Sequence, residues 1–139
     1  MLDLSSLKKA IISLDELLGK TTDVGFMNTL DDISKKGLKA DVIQNFEFTY
    51  ELCWKFMKRW LEINLGSTYV DGVPRNELFR ISAEHRLIDN VENWFEYHKA
   101  RNITSHTYNE IEADRVFNTA KSFISDAKIL LKNLEAKND

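Results

Sequence analysis

Apolar residues recur along this chain in steps of three and four, over long stretches with little to interrupt them. Leu4, Leu7, Ile11, Leu14 and Leu18 draw a single stripe, which is the pattern of an amphipathic helix and predicts one over residues 3–18. Asp3 precedes that stripe as an N-cap, and Gly19 follows it where a C-terminal stop is expected. From 20 to 40 the pattern dissolves. Thr21, Thr22, Gly25, Asn28 and Gly37 break any long period, and Leu30 and Ile33 support only a turn or two of helix within a loop. A strong second helix is predicted over 40–65, where Val42, Phe46, Thr49, Cys53, Phe56, Trp60 and Ile63 keep a heptad-like spacing. Ile43, Tyr50, Met57 and Leu61 widen the stripe beyond a two-helix seam, so this helix should meet more than one neighbour. Glu47, Glu51, Lys55, Lys58 and Glu62 occupy the remaining surface, with Glu51 and Lys55 at the favourable i,i+4 spacing.

Gly66 ends the second helix and 67–72 read as a loop. Pro74 stands where a first helical turn accepts it, ahead of a third helix carrying Leu78, Phe79, Ile81 and Ala83 and ending near Arg86. Asp89 with Glu92 has the spacing of a capping box and opens a fourth helix, whose stripe runs through Val91, Trp94 and Phe95 to His98 and Arg101. Asn109 with Glu112 opens a last helix in the same way. Its stripe is Val116, Ala120, Phe123, Ala127, Leu130 and Leu134, flanked by Phe117, Ile124 and Leu131, and the polar tail beyond Leu134 is expected to fray. A single proline and five glycines are too little punctuation for many short elements, and no repeat of 20–50 residues appears. The expected architecture is all-α: an antiparallel up-and-down bundle of four to five helices, with residues 1–139 as one domain.

The bulk numbers narrow the function classes. A chain of 139 residues has room for one real core, and 43% apolar with 29% charged residues is a globular balance that argues against disorder. No window approaches the roughly 18 apolar residues of a membrane span, and the N-terminus lacks the pattern of a signal peptide. Cys53 is the sole cysteine and has no internal disulfide partner, which points to a reducing, cytoplasmic setting. On the apolar stripe it reads as an inert buried thiol. The net charge of −3 weighs against a protein that coats long nucleic acid, since phosphate neutralisation supplies most non-specific affinity. Contact with RNA would therefore be confined to a small local site or a complex.

Chemistry concentrates between Trp94 and Tyr108. An arginine and a histidine are the smallest kit that cleaves a phosphodiester without a metal: the imidazole moves a proton near neutral pH and the guanidinium stabilises charge building on phosphorus. Arg101 and His106 lie five residues apart, about 140° around a straight helix, so they would not share a face. Asn102, Ile103, Thr104 and Ser105 are middling or poor helix formers, which places the pair across a helix end and the connection after it. There they can converge on one another or on a second subunit. His98, a turn before Arg101, reads as an interior residue of the aromatic stripe, with a place in the site as the alternative. His85 reads as a surface residue. The three histidines lack paired cysteines or carboxylates at ligand spacing, so no metal site is expected. Trp54, Trp60 and Trp94 could stack bases, but their helical spacing assigns them to packing.

The stretch Arg101-Asn102-Ile103-Thr104-Ser105-His106-Thr107-Tyr108 resembles the Arg-x4-His-x-Tyr motif of HepT-like proteins in the HEPN superfamily. The stretch Ile43-Gln44-Asn45-Phe46-Glu47-Phe48-Thr49-Tyr50-Glu51-Leu52-Cys53-Trp54-Lys55 is similar to a second-helix signature of nucleotidyltransferase substrate-binding proteins. Pro74-Arg75, Leu87-Ile88 and Trp94 extend the likeness, which covers roughly residues 40 to 125. The resemblance implies a dimerising helical bundle, and leaves open whether dimers pair again into tetramers. It implies a metal-independent, cofactor-free endoribonuclease, the toxin of a toxin–antitoxin pair, with a minimal nucleotidyltransferase as antitoxin partner and RNA as substrate. By position, Arg101 would steady the phosphorane and His106 would take the proton of the ribose 2′-hydroxyl. Asn102 would orient the phosphate or the histidine, Ser105 would contact the nucleotide, and Tyr108 would be the hydroxyl that accepts AMP. The alternative is a non-catalytic accessory subunit that presents substrate to the nucleotidyltransferase.

Overall fold

A computed structural model describes residues 1–104 and 109–138. Among them the chain is helical throughout: α1 (Ser5–Thr21), the single turn α2 (Val24–Met27), α3 (Asp32–Leu65), the single turn α4 (Ser67–Val70), α5 (Arg75–Glu84), α6 (Val91–Thr104) and α7 (Glu110–Ala136). The expected bundle is present, with five helices of more than two turns.

Helix direction follows from the side chains that meet. Thr49 Oγ1 donates to the Ala10 carbonyl at 3.5 Å and Ser13 Oγ to Asn45 Oδ1 at 3.3 Å, so α3 runs antiparallel to α1. Asn93 and Tyr97 of α6 both bond Asp126 of α7, and the Tyr97 hydroxyl also reaches the Ser122 carbonyl at 3.4 Å. Those contacts make α6 and α7 antiparallel as well. Lys128 pairs with Asp15 across α7 and α1 at 2.9 Å. The diagonal pair α3 and α7 runs parallel: Lys36 meets Glu110 at 3.2 Å, Lys39 meets Asp114, and Phe46 packs edge-on to Phe123 with centroids 5.1 Å apart.

The sequence stripes become the core. Leu7, Ile11, Leu14 and Leu18 of α1 are buried, as are Val42, Ile43, Phe46, Tyr50, Cys53, Phe56, Met57 and Leu61 of α3, and every stepped residue of α7. Phe79, Trp94, Tyr97 and Phe123 form a continuous aromatic centre with centroids 5.1–5.8 Å apart, within the range where ring edges meet ring faces. Burial pushes the Cys53 thiol well above the usual range, in keeping with an inert core thiol.

Several boundaries differ from expectation, each for a local reason. Asp3 caps nothing beyond its own turn: its Oδ1 takes the Ser5 N–H at 3.0 Å, and α1 continues through Gly19 to Thr21, where Thr21 and Thr22 hydroxyls bond the Leu17 and Leu18 carbonyls. The supposed loop at 32–40 is the first quarter of α3. Asp31 caps it by accepting the Ser34 N–H at 2.7 Å, a contact that satisfies an orphan donor of the first turn. Pro74 is the N-cap residue rather than a member of the first turn. Asn90, not Asp89, caps α6, its Oδ1 taking the N–H groups of Glu92 and Asn93 at 3.1 and 3.3 Å. Asn109 caps α7 through Glu112 as expected. Ile63 is 62% exposed and leaves the core stripe. The C-terminal tail is tied down, with Asn138 exchanging two 2.8 Å hydrogen bonds with the Leu2 backbone.

Candidate functional site

The site is built on about two turns of α3. Glu47, Tyr50, Glu51 and Trp54 project from that stretch toward α6 and the first turn of α5. Tyr50 is fully buried, while Glu47, Glu51 and Trp54 are half-buried. On α6, His98 and Arg101 stand three residues apart and so share a face. That face meets α3.

Arg101 is held from two sides. Its Nε donates to Glu51 Oε1 at 3.2 Å, and its Nη1 lies 3.4 Å from Thr104 Oγ1 and 3.7 Å from Glu47 Oε2. The Thr104 hydroxyl gives its own proton to the Arg101 carbonyl at 2.7 Å, so the threonine oxygen is turned toward the guanidinium. A guanidinium carries five N–H donors in a rigid fork, and these contacts use Nε and Nη1. Nη2 bonds nothing among the described residues. The second carboxylate oxygen of Glu51 takes the Trp54 indole N–H at 2.9 Å, which fixes the carboxylate that in turn fixes Arg101. The expected Glu51–Lys55 pair does not form; Lys55 lies over the Trp54 ring instead, 5.8 Å from its centroid.

A second arm lies beside the first. Arg75 Nη1 donates to the Tyr50 hydroxyl oxygen at 3.2 Å, its guanidinium stacks 3.6 Å above the Trp54 ring, and the same Tyr50 hydroxyl lies 2.8 Å from His98 Nδ1. Burial holds the Tyr50 phenol far above its usual range. His98 is pushed below its ordinary value, first by burial and then by the Arg75 and Arg101 charges, with Glu51 opposing.

That shift has a consequence for stability. A histidine kept neutral in the folded state binds fewer protons there than in the unfolded chain once the pH drops below about 6.5. Unfolding is then favoured by proton uptake, so stability should fall as pH is lowered from that point toward the folded-state value, and should be insensitive to His98 above it. Urea midpoints measured at about pH 7.5 and about pH 5.5 should drop less on acidification in His98→Gln than in wild type.

Of the residues expected in the site, Arg101 is placed as described and Asn102 is exposed beside it. Ser105, His106 and Tyr108 lie outside the described residues. α6 is helical through Thr104 and Asn109 caps α7, so the helix end expected between Arg101 and His106 falls on 105–108, outside the described residues. On the described residues to either side, Glu47 and Glu51 pair with Arg101, and Lys36 and Lys39 pair with Glu110 and Asp114 at the start of α7. His85 is half-buried against Trp60, ring centroids 6.2 Å apart, rather than free on the surface. Trp94 is core, whereas Trp54 belongs to the site. Glu47, Tyr50, Glu51 and Arg75 are site residues that the sequence does not single out. Their sequence sign is indirect: Glu47, Tyr50 and Glu51 fall in the 43–55 stretch, and Arg75 in the Pro74-Arg75 pair, that carry the family resemblance, but nothing there marks them as neighbours of Arg101. Among the described residues no three His, Cys, Asp or Glu side chains gather as a metal site, and no helix is long and apolar enough to cross a membrane.

Comparison with known proteins finds relatives over nearly the whole chain. The profile of the family described as nucleotidyltransferase substrate binding protein like matches residues 2–136. A Haemophilus influenzae protein named "Probable ribonuclease HepT" is 31% identical over 138 residues, covering 99% of this chain and 94% of that protein. A solved Haemophilus influenzae structure, described as revealing the fold of a substrate binding domain of a nucleotidyltransferase, superposes with a TM-score of 0.90 at 31% identity, covering 96% of this chain and 99% of the other. A Thermus thermophilus structure shares the fold, with a TM-score of 0.70 at 23% identity over 92% of this chain and 98% of the other.

Proposed function

Because this chain belongs to the nucleotidyltransferase substrate binding protein-like family, we propose that it is a HepT-like, metal-independent endoribonuclease, the toxin of a toxin–antitoxin pair whose partner is a minimal nucleotidyltransferase. The observation that carries the reading is the state of Arg101: clamped through Nε and Nη1 by Glu51 and Thr104, with Nη2 uncommitted among the described residues, five positions before His106 in the sequence. An arginine held in this way can meet a phosphate without first losing side-chain freedom, which is how preorganised charge lowers a barrier.

In this mechanism His106 takes the proton of a ribose 2′-hydroxyl, and the resulting oxyanion attacks the adjacent phosphorus. Arg101 stabilises the charge on the non-bridging oxygens. The P–O5′ bond then breaks, the 5′ oxygen leaves as an alcohol after accepting a proton from the imidazolium or solvent, and a 2′,3′-cyclic phosphate remains. Asn102 and Ser105 orient the phosphate. The working form is a cytoplasmic homodimer that brings the Arg and His of both protomers to one cleft. Transfer of AMP from ATP to the Tyr108 hydroxyl by the partner, with pyrophosphate leaving, would block that cleft with a bulky charged group.

The second reading is a non-catalytic subunit that presents substrate to the nucleotidyltransferase. It is favoured by the net charge of −3 and by the two carboxylates that offset Arg101, which weaken any field drawing RNA from a distance. Incubating the purified protein with single-stranded and structured RNA in EDTA separates the two. Cleavage without added metal is the expected result. No cleavage at any protein concentration, alongside a stable complex with the nucleotidyltransferase, would favour the second reading.

A further inference from the structure

Arg75, Tyr50 and His98 form a polar arm next to Arg101 that the proposed cleavage chemistry leaves without a role. Both arginines are oriented by the same turn of α3: Arg101 by Glu51, Arg75 by Tyr50 and the Trp54 ring. Glu51 and Trp54 are themselves bonded to one another, so the two cations are set by one rigid unit rather than by separate flexible contacts.

The hydrogen bonds also favour one nitrogen of His98 as the holder of its proton. The Tyr50 oxygen accepts from Arg75, and an arginine side chain can only donate. The one proton of the Tyr50 hydroxyl is therefore free to point at His98 Nδ1, 2.8 Å away. Nδ1 is then the acceptor, and a neutral imidazole must carry its hydrogen on Nε2. That Nε2–H has no partner among the described residues, and the ring is half-buried rather than sealed. A neutral imidazole is a far weaker general acid than an imidazolium, but it is a good hydrogen-bond donor to a phosphate oxygen.

We infer that Arg75 and His98, aligned through Tyr50, bind a backbone phosphate of single-stranded RNA neighbouring the scissile one, giving the site two phosphate contacts instead of one. The inference rests on the ribonuclease reading for its ligand class. Arg75 supplies the charge and a planar fork fixed by stacking, His98 the neutral donor, and Tyr50 is a positioning residue that touches neither phosphate. The spacing of two phosphates along a strand would then select chains over mononucleotides.

The test uses the full-length protein and a single-stranded oligoribonucleotide with 2′-O-methyl groups throughout, which binds but has no free 2′-hydroxyl to attack. Arg75→Gln should weaken binding by about tenfold or more, the range for a lost charge-assisted hydrogen bond. It should also flatten the dependence of log affinity on log salt by about 0.7, the value of one phosphate contact on a single strand. Arg75→Lys should keep the salt slope while losing part of the affinity, because it keeps the charge and loses the fork. A merely structural role for Arg75 would not move the salt slope.

Should Arg75→Gln fail to fold, the wild type still decides the matter. In a spectrum of 15N-labelled histidine, the His98 resonances, assigned by their loss in His98→Gln, should report a protonated Nε2 that shifts when the oligonucleotide is added. An unchanged salt slope in Arg75→Gln, or a His98 Nε2 that does not respond to bound oligonucleotide, overturns the inference and leaves the ribonuclease reading standing. Wild type that fails to bind the oligonucleotide at all overturns both.

Discussion

Arg101→Ala is expected to lower RNA cleavage by about a hundred- to a thousandfold, the usual effect of removing one preorganised donor from a charge-developing transition state. The fold should survive. The Arg101 side chain and its partners Glu47 and Glu51 are 27%, 30% and 32% exposed, so water can solvate the two carboxylates left behind, and the cost to stability should be on the order of 1 kcal/mol. Arg101→Lys is expected to recover little activity. A lysine could reach Glu51, but its ammonium would then be committed there, with no second nitrogen to offer the phosphate. Single-turnover rates on saturating RNA, beside urea midpoints for the same proteins, check both halves of this expectation. A Lys variant as active as wild type would mean that charge alone, not the fork held by Glu51 and Thr104, is what the site uses.

Trp94→Ala should have the largest effect on stability, about 3–5 kcal/mol. Trp94 is 1% exposed, and its ring centroid lies 5.7 Å from Phe79, 5.3 Å from Tyr97 and 5.8 Å from Phe123. Those residues belong to α5, α6 and α7, so the cavity would open where three helices meet, and none can collapse into it without leaving its other neighbours. A domain of this size has roughly 5–15 kcal/mol in total, so the variant would keep only part of its margin. Urea denaturation should show a lower midpoint with an unchanged slope. A loss below about 1 kcal/mol would show that the aromatic centre repacks, contrary to the jigsaw fit of these rings.

The parts of the fold legible in the sequence are those where one face is dry. The stripes of α1 from Leu7, of α3 from Val42 to Phe56, and of α7 bury their stepped residues, so period and structure coincide there. The first quarter of α3 was not legible because its residues are mostly exposed: Ile33 is 83% exposed, and Lys36 and Lys39 reach across to Glu110 and Asp114 rather than into the core. With no buried stripe there is no period to read. Only Asp31, capping through Ser34, marked the helix start, and it stood among residues that also suit turns. The site divides along the same line. Arg101 could be found because its neighbours in sequence form a motif. Its partners could not, because Glu51 and Arg101 meet from positions fifty residues apart, and local spacing paired Glu51 with Lys55 instead. Tyr50 looked like one more core aromatic; its hydroxyl becomes a junction only when Arg75 and His98 arrive from other helices.

The chemistry of the product ends tests the central claim most directly. RNA cleaved by the wild-type protein in EDTA should end in 2′,3′-cyclic phosphate, with 5′-hydroxyl groups on the downstream fragments, and the His106→Ala protein should yield neither. These ends follow from attack by the neighbouring 2′-oxygen with no external nucleophile. Fragments ending in 3′-hydroxyl and 5′-phosphate, or identical cleavage by wild type and His106→Ala, would contradict an Arg101–His106 ribonuclease.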